Sequence, residues 1–310
     1  YYVELLAHLT KGQFSNVQPQ ILNGLHRNSY LKHLKIHLKS KPMYLPNFKG
    51  AGYILTKFNK YFIDLFSDFN ADIYHATYYR LPERLSPSVI KVIKVYDMIH
   101  ELYPSYFSAN DQTIRLKAKA INDADHILAI SQNTKQDLID IYQVPESKIT
   151  VTYLGVDHLN EKKQGQKKRE KFILYVGPRG GYKNFNRLLE AFSNILKTNL
   201  NLNLIAFGGG GFNEKENSLM NSLGIPSECV QQISGSDEVL LDLYARALVF
   251  VYPSIYEGFG IPPFEAMARG CPVVASKISS IGEVLGNGAL LCNPHDVSDM
   301  SNKIDTMINN

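Results

Sequence analysis

A chain of 310 residues, 45% hydrophobic and 20% charged, has the composition of a soluble globular protein and room for about two domains. No apolar run approaches a membrane span, no secretory signal is visible at the start, and a net charge of +4 does not call for a nucleic-acid partner. Cys229, Cys271 and Cys292 show neither metal spacing nor a disulfide framework, so a reducing cytoplasm is the expected compartment.

The chain starts within a helical pattern, with Val3, Leu5, Leu6 and Leu9 on one face. A doubly wound domain ordinarily opens on a strand and a glycine turn; both are missing, so a fragment at the N-terminus is expected. Arg27 to Lys41 interleaves Lys and His with leucines. It reads as a strand with one solvated basic face, or as a segment touching an anionic membrane from its inner side. Phe58, Tyr61, Phe62 and Leu65 recur at helical spacing. Asp72–His75, Val92–Tyr96, His126–Ile130 and Ile149–Tyr153 read as strands, and Ser131 as a helix N-cap. The polar, basic run Glu161–Arg169 lacks apolar periodicity and is the expected linker, which divides the chain into 1–160, 161–170 and 171–310.

The second half repeats strand, glycine-rich loop and helix. Phe172–Val176 is a buried-type strand, followed by a helix with Phe185, Leu188, Leu189, Phe192, Ile195 and Leu196 on one face. Leu202–Phe207, Leu248–Tyr252 and Pro272–Ala275 are further strands, and Ser280 to Glu283 reads as a capping box. Repeats of this kind predict a parallel sheet covered on both faces, with ligands beyond the carboxyl ends of the strands. Three loops are expected to meet there: Gly177–Asn184, Gly208–Gly211 and Glu257–Ile261.

The most informative of them runs Tyr256-Glu257-Gly258-Phe259-Gly260-Ile261-Pro262-Pro263-Phe264-Glu265-Ala266-Met267-Ala268. Pro263 suits the first turn of a helix that stops at Gly270. Glu257 therefore sits on the loop and Glu265 in the helix start, with Gly258 and Gly260 allowing close backbone approach between them. Free amides at that helix start favour an anion. Two carboxylates around such an anion site are what a nucleotide-diphosphate sugar requires. Arg179 and Lys183 are the cations of the first loop, placed to stabilise the charge of a departing diphosphate. The run from Gly208 and Gly209 onward does not match the dinucleotide fingerprint. In the first half Asp97 and His100 follow a strand, His75 ends another, and Ser131 and Thr134 are explained by helix capping alone.

The segment Glu257–Ala268 resembles the Glu-x7-Glu signature of retaining glycosyltransferases of family 4, and weaker likenesses at Tyr96–Tyr106 and Ala124–Tyr142 extend the resemblance over nearly the whole chain. The resemblance implies an α/β GT-B fold: two Rossmann-like doubly wound domains facing a central cleft. Residues 1–160 would form the acceptor side and 171–310 the donor-binding domain. It further implies that Glu257 contacts the donor sugar, that Phe259, Gly260 and Ile261 contribute amides to sugar and phosphate, and that Glu265 binds the ribose. Arg179, Lys183, Gly208, Gly209 and Gly258 complete the donor site, and Asp97, His100 and Glu257 are the candidate catalytic groups. No cofactor and no metal ion are implied; the partners are a nucleotide-sugar donor and a saccharide or lipid-linked saccharide acceptor. Among family members the chain looks most like mannosyltransferases that build bacterial surface polysaccharides. A non-catalytic sugar-nucleotide-binding subunit and a GT-B sugar-nucleotide epimerase stay open as alternatives.

Overall fold

The computed structural model describes residues 25–26, 43–46, 48, 50–65, 71–83, 85–155 and 168–309. The expected helix around Val3–Leu9, the basic segment Arg27–Lys41 and residues 161–167 of the expected linker lie outside them. The first half runs β1 (Leu25–His26), β2 (Met43–Tyr44), α1 (Ala51–Leu65), β3 (Ile73–Ala76), β4 (Ile90–Val95), α2 (Ile99–Leu102), α3 (Thr113–Asp123), β5 (His126–Ala129), α4 (Gln132–Tyr142) and β6 (Ile149–Val151). The second runs β7 (Glu170–Val176), α5 (Phe185–Leu196), β8 (Asn203–Phe207), α6 (Glu214–Ser222), β9 (Val230–Ile233), α7 (Asp237–Arg246), β10 (Ala247–Tyr252), α8 (Ile261–Ala268), β11 (Val273–Ser276), α9 (Ser280–Leu285), β12 (Leu290–Cys292) and α10 (Val297–Asn309).

By packing, the chain forms two compact units: residues 1–94 with 115–128, and Val95–Ile114 with Ala129–Asn310. In the first unit β3 and β4 pair in parallel, from Ile73 opposite Ile90 to Ala76 opposite Ile93. Helix α1 forms where its spacing predicts, with Phe58 and Tyr61 42% and 69% exposed.

The second unit holds a six-stranded parallel sheet in the order β12-β11-β10-β7-β8-β9. Alternation along β7 sorts its side chains. Ile173 and Tyr175 face a core completed by α5, α6 and α10, while Phe172 and Leu174 face a second core with α7, α8 and α9. The whole predicted face of α5 is engaged, with Phe185, Leu188, Leu189 and Phe192 fully buried and Leu196 packed against them. Strand β9, Val-Gln-Gln-Ile, is too short and polar to read from sequence; its pairing with β8 makes it a strand.

Successive strands leave β7 in one direction and β10 in the other, so the order reverses between these two neighbours. A doubly wound sheet opens a crevice at such a point, outside the strand carboxyl ends. The loops that follow β7 and β10 are Gly177–Asn184 and Pro253–Gly260. Among the described residues no helix is long and apolar enough to cross a membrane.

Candidate active site

The two loops at the switch point are tied together by backbone. Ile255 N–H donates to Tyr182 O at 2.8 Å. Asn184, left-handed at φ 61°, turns its side-chain amide onto the carbonyls of Pro253 (2.9 Å) and Pro294 (2.8 Å). This brings Lys183 Nζ to 2.6 Å from Glu257 Oε1, with the two side chains 15% and 13% exposed. The Lys183 ammonium also lies 5.0 Å from the Tyr182 ring centroid and 5.6 Å from that of Tyr252. The Tyr252 hydroxyl bonds to Glu257, and burial together with that carboxylate raises it well above the usual tyrosine range. Tyr182 is pushed up to about 12 by burial and then by the negative charges of Glu257 and Asp97.

Glu257 is fixed through its main chain as well. Its N–H donates to Ser279 Oγ at 3.0 Å and its carbonyl accepts from Ser280 Oγ at 2.7 Å. Ser279 holds φ 48°, ψ −139°, a conformation that glycine ordinarily takes. Ser280 is therefore not the cap of a capping box, as the sequence suggested. It is the first residue of α9 and its hydroxyl serves Glu257. Glu283 caps a different helix: its carboxylate accepts from the amides of Gln132 (2.7 Å) and Asn133 (3.0 Å) at the start of α4. Ser131 does cap α4, accepting from Thr134 N–H at 3.0 Å, and its hydroxyl donates to Thr134 Oγ1 at 2.9 Å.

Gly258 has a stricter role than admitting a ligand. A Cβ there would lie 1.7 Å from Tyr96 O and 3.1 Å from Asp97 Cβ, so the loop packs directly on the segment that carries Asp97. Asp97 Oδ1 accepts from Ile99 N–H at 3.1 Å. Tyr256, 4% exposed, accepts from Met98 N–H at 3.0 Å and donates to Asp137 Oδ2 at 2.5 Å. Phe259 is buried with Ile130 and Leu154, and Ile261 packs against this cluster. Gly260 takes φ 102° as the residue before α8, and no side chain of that residue caps the helix. Helix α8 stops as expected, with Gly270 left-handed at φ 70°.

Of the other predicted residues, Glu265 is half-buried on α8 and accepts from Tyr244 O–H at 3.2 Å. His100 stacks on Phe107 at 3.8 Å and sets Nε2 3.5 Å from Asp111. His75 lies in β3 of the first unit, its pKa lowered by burial and then by Lys94.

Arg179 departs most from the expectation of a phosphate clamp. It is 7% exposed and turned into the protein. Its Nε bonds Glu216 Oε1 at 2.8 Å, Nη1 donates to Gly208 O at 3.0 Å, and Nη2 donates to Gly211 O at 2.8 Å. Gly208, Gly209 and Gly210 all have positive φ, and a Cβ on Gly209 would fall 2.7 Å from Arg179 Nη1. The glycine run is thus shaped to wrap its carbonyls around the guanidinium. Sequence reasoning missed Tyr182, Tyr252, Tyr256, Asp137, Ser279 and Ser280. Tyr256 was visible beside Glu257, whereas Ser280 carried only a capping signal and Ser279 none.

The model of Glycosyltransferase Family 4 matches residues 3–158, and that of Glycosyl transferases group 1 matches residues 157–310. O-antigen chain mannosyltransferase B of Escherichia coli is 30% identical over 248 residues, 76% of this chain and 64% of the relative. O-antigen chain mannosyltransferase RfbU of Salmonella typhimurium is 33% identical over 207 residues, 66% of this chain and 57% of the relative. The chain thus spans less than two thirds of the length of either. Among solved structures, Anabaena HepE in complex with UDP and glucose superposes with a TM-score of 0.67 at 18% identity, covering 99% of this chain and 86% of that one. WaaG, a glycosyltransferase involved in lipopolysaccharide biosynthesis, gives 0.63 at 14% identity, covering 99% and 85%. These two likenesses carry the fold, which is GT-B with parallel α/β sheets of Rossmann character. With its family model matched over residues 3–158 of 310, the chain belongs to glycosyltransferase family 4.

Proposed function

We propose that this protein is a retaining glycosyltransferase. It moves a hexosyl unit, mannosyl by the names its relatives carry, from a nucleotide-diphosphate sugar to a saccharide or lipid-linked saccharide. The observation that carries the reading is the Lys183–Glu257 pair at 2.6 Å, set at the switch point of the sheet. A half-buried ammonium already satisfied by a carboxylate can exchange it for a diphosphate oxygen. Glu257, released, then accepts hydrogen bonds from the donor sugar hydroxyls. The amides of Phe259 and Gly260, which lead into α8, and that of Ile261 at its start donate to the sugar and phosphate in this reading. Glu265, oriented by Tyr244, takes the ribose hydroxyls. Arg179 acts through the glycine loop that it holds.

In the transfer the acceptor oxygen bonds the anomeric carbon on the face from which the diphosphate departs. The electrons of the broken C–O bond leave with the nucleoside diphosphate, and its oxygen takes the acceptor's proton. No side-chain base is required, and Lys183 supplies charge stabilisation where the leaving group forms. Asp97 and His100 orient the acceptor hydroxyl or the donor sugar. The reading requires no resident metal ion. It keeps 171–310 as the donor-binding half; the two family models meet at residues 157–158, just before the expected linker 161–170, whose last residue, Glu170, already opens β7.

The test is a panel of nucleotide sugars with the full-length protein, Lys183→Ala and Glu257→Ala. Each variant is expected to lose about 100-fold or more in turnover, and the Lys183 variant also nucleotide affinity. Wild-type turnover and affinity in both remove the site assignment. An inverted anomer in the product spectrum rejects retention, and loss of turnover to a chelator rejects metal independence.

A further inference from the structure

Asp97 lies between two anchored neighbours. On one side the Tyr96 carbonyl is pressed against Gly258, where a Cβ would sit 1.7 Å away. On the other, Met98, itself fully buried, donates its N–H to the Tyr256 hydroxyl at 3.0 Å. That hydroxyl is not free to turn, because it donates to Asp137 Oδ2 at 2.5 Å, and Asn133 Nδ2 donates to the same oxygen at 2.8 Å. Tyr256 immediately precedes Glu257. One buried phenol therefore joins three segments: the donor loop, the segment 96–98 and helix α4.

We propose that Tyr256 and Asp137 are positioning residues that set the separation between Asp97 and Glu257 for sugar transfer. The inference rests on the glycosyl-transfer reading above. Neither residue is required to touch the donor or acceptor. A phenol that both accepts from a main-chain amide and donates to a carboxylate has a single orientation, so its ring position fixes Met98 relative to residue 256. Without the hydroxyl the Met98 N–H loses this buried bond, and the join that holds segment 96–98 to residue 256 is loosened. A shift of about 1 Å between groups that must act together costs on the order of 100-fold in turnover while leaving each group able to bind.

The experiment compares full-length wild type with Tyr256→Phe, Asp137→Ala and Asp137→Asn in steady-state transfer from the best donor of the panel. Each variant is first checked for folding by thermal melting and for nucleotide binding by calorimetry. Tyr256→Phe and Asp137→Ala should lose about 10- to 100-fold in kcat, with donor KM and nucleotide affinity within about threefold of wild type. Asp137→Asn keeps a side-chain carbonyl that accepts from the phenol, and should recover to within about threefold of wild type. Wild-type kcat in Tyr256→Phe overturns the proposal, as does a loss confined to donor KM. Asp137→Asn as impaired as Asp137→Ala also overturns it. If Tyr256→Phe does not fold, the contrast between the two Asp137 variants decides. A wild-type protein that transfers nothing overturns the glycosyl-transfer reading; active wild type with an unimpaired Tyr256→Phe overturns the positioning role alone.

Discussion

Glu257 is held by its backbone as firmly as by its side chain. Ser279 accepts from its N–H and Ser280 donates to its carbonyl, which leaves the carboxylate for Lys183 and Tyr252. The positive φ of Ser279 is backbone strain beside the candidate site, and its hydroxyl supplies the Glu257 N–H with an acceptor that glycine lacks. Ser279→Ala keeps the strain and removes the acceptor, so it is expected to destabilise by about 1–3 kcal/mol. Ser279→Gly also loses the acceptor but relieves about 1 kcal/mol of backbone strain, so it should be the more stable of the two. Urea unfolding of the pair checks the order; an alanine variant equal to wild type would dismiss the role. At this scale the sequence was informative where chemistry and position coincide. The motif singled out Glu257 and Lys183, which the structure pairs, and Gly260, which takes a positive φ, whereas the bond of Ser279 depends on a main-chain amide 22 residues away.

Elements are assembled from local period and then corrected by charge. The apolar repeats of α5 and β7 marked buried faces because burial at periods of 3.6 and 2 is written in neighbouring residues. Charge was harder to place. Arg179 read as a ligand-facing cation, but Glu216, on the first turns of α6, draws it inward and at the same time closes a capping box with Asn213. The pair is nearly dry, with side chains 3% and 8% exposed. Removing one partner strands the other, so Glu216→Ala should cost about 3–5 kcal/mol in denaturant unfolding. A loss under about 1 kcal/mol would mean that the pair is solvated and that Arg179 is available to a donor phosphate after all.

At the scale of the molecule, the second unit draws in Val95–Ile114 and Ala129–Tyr153 from the first half of the chain, and the network around Tyr256 is part of that packing. It carries a pH signature. Burial raises the Asp137 carboxyl above the usual range; Asp140 and Asp97 add to the shift, while the bonds from Tyr256 and Asn133 oppose it. A raised folded value means that the folded state holds this proton more tightly than the unfolded chain. The stability that it contributes is therefore full below the ordinary aspartate value of about 4 and is lost as pH climbs through the raised one. Asp137→Asn does not titrate, so its melting temperature relative to wild type should rise across that window. A difference that stays flat from about pH 4 to 8 would show that Asp137 has an ordinary carboxyl.

What the sequence determined by itself is the alternation of strand and helix in the second half, the covered parallel sheet, and the loop around Glu257. Each depends on residues within about ten positions of one another, where period, glycine and proline act directly on the backbone. The strand reversal between β7 and β10, the inward turn of Arg179, the capping of α4 by Glu283 and the join of Met98 to Tyr256 were decided only by the tertiary structure. Their partners are 37 to 158 residues apart. A hydrogen bond or ion pair at that separation leaves no local pattern, because any donor and acceptor of suitable size satisfy it once the core has brought them within reach.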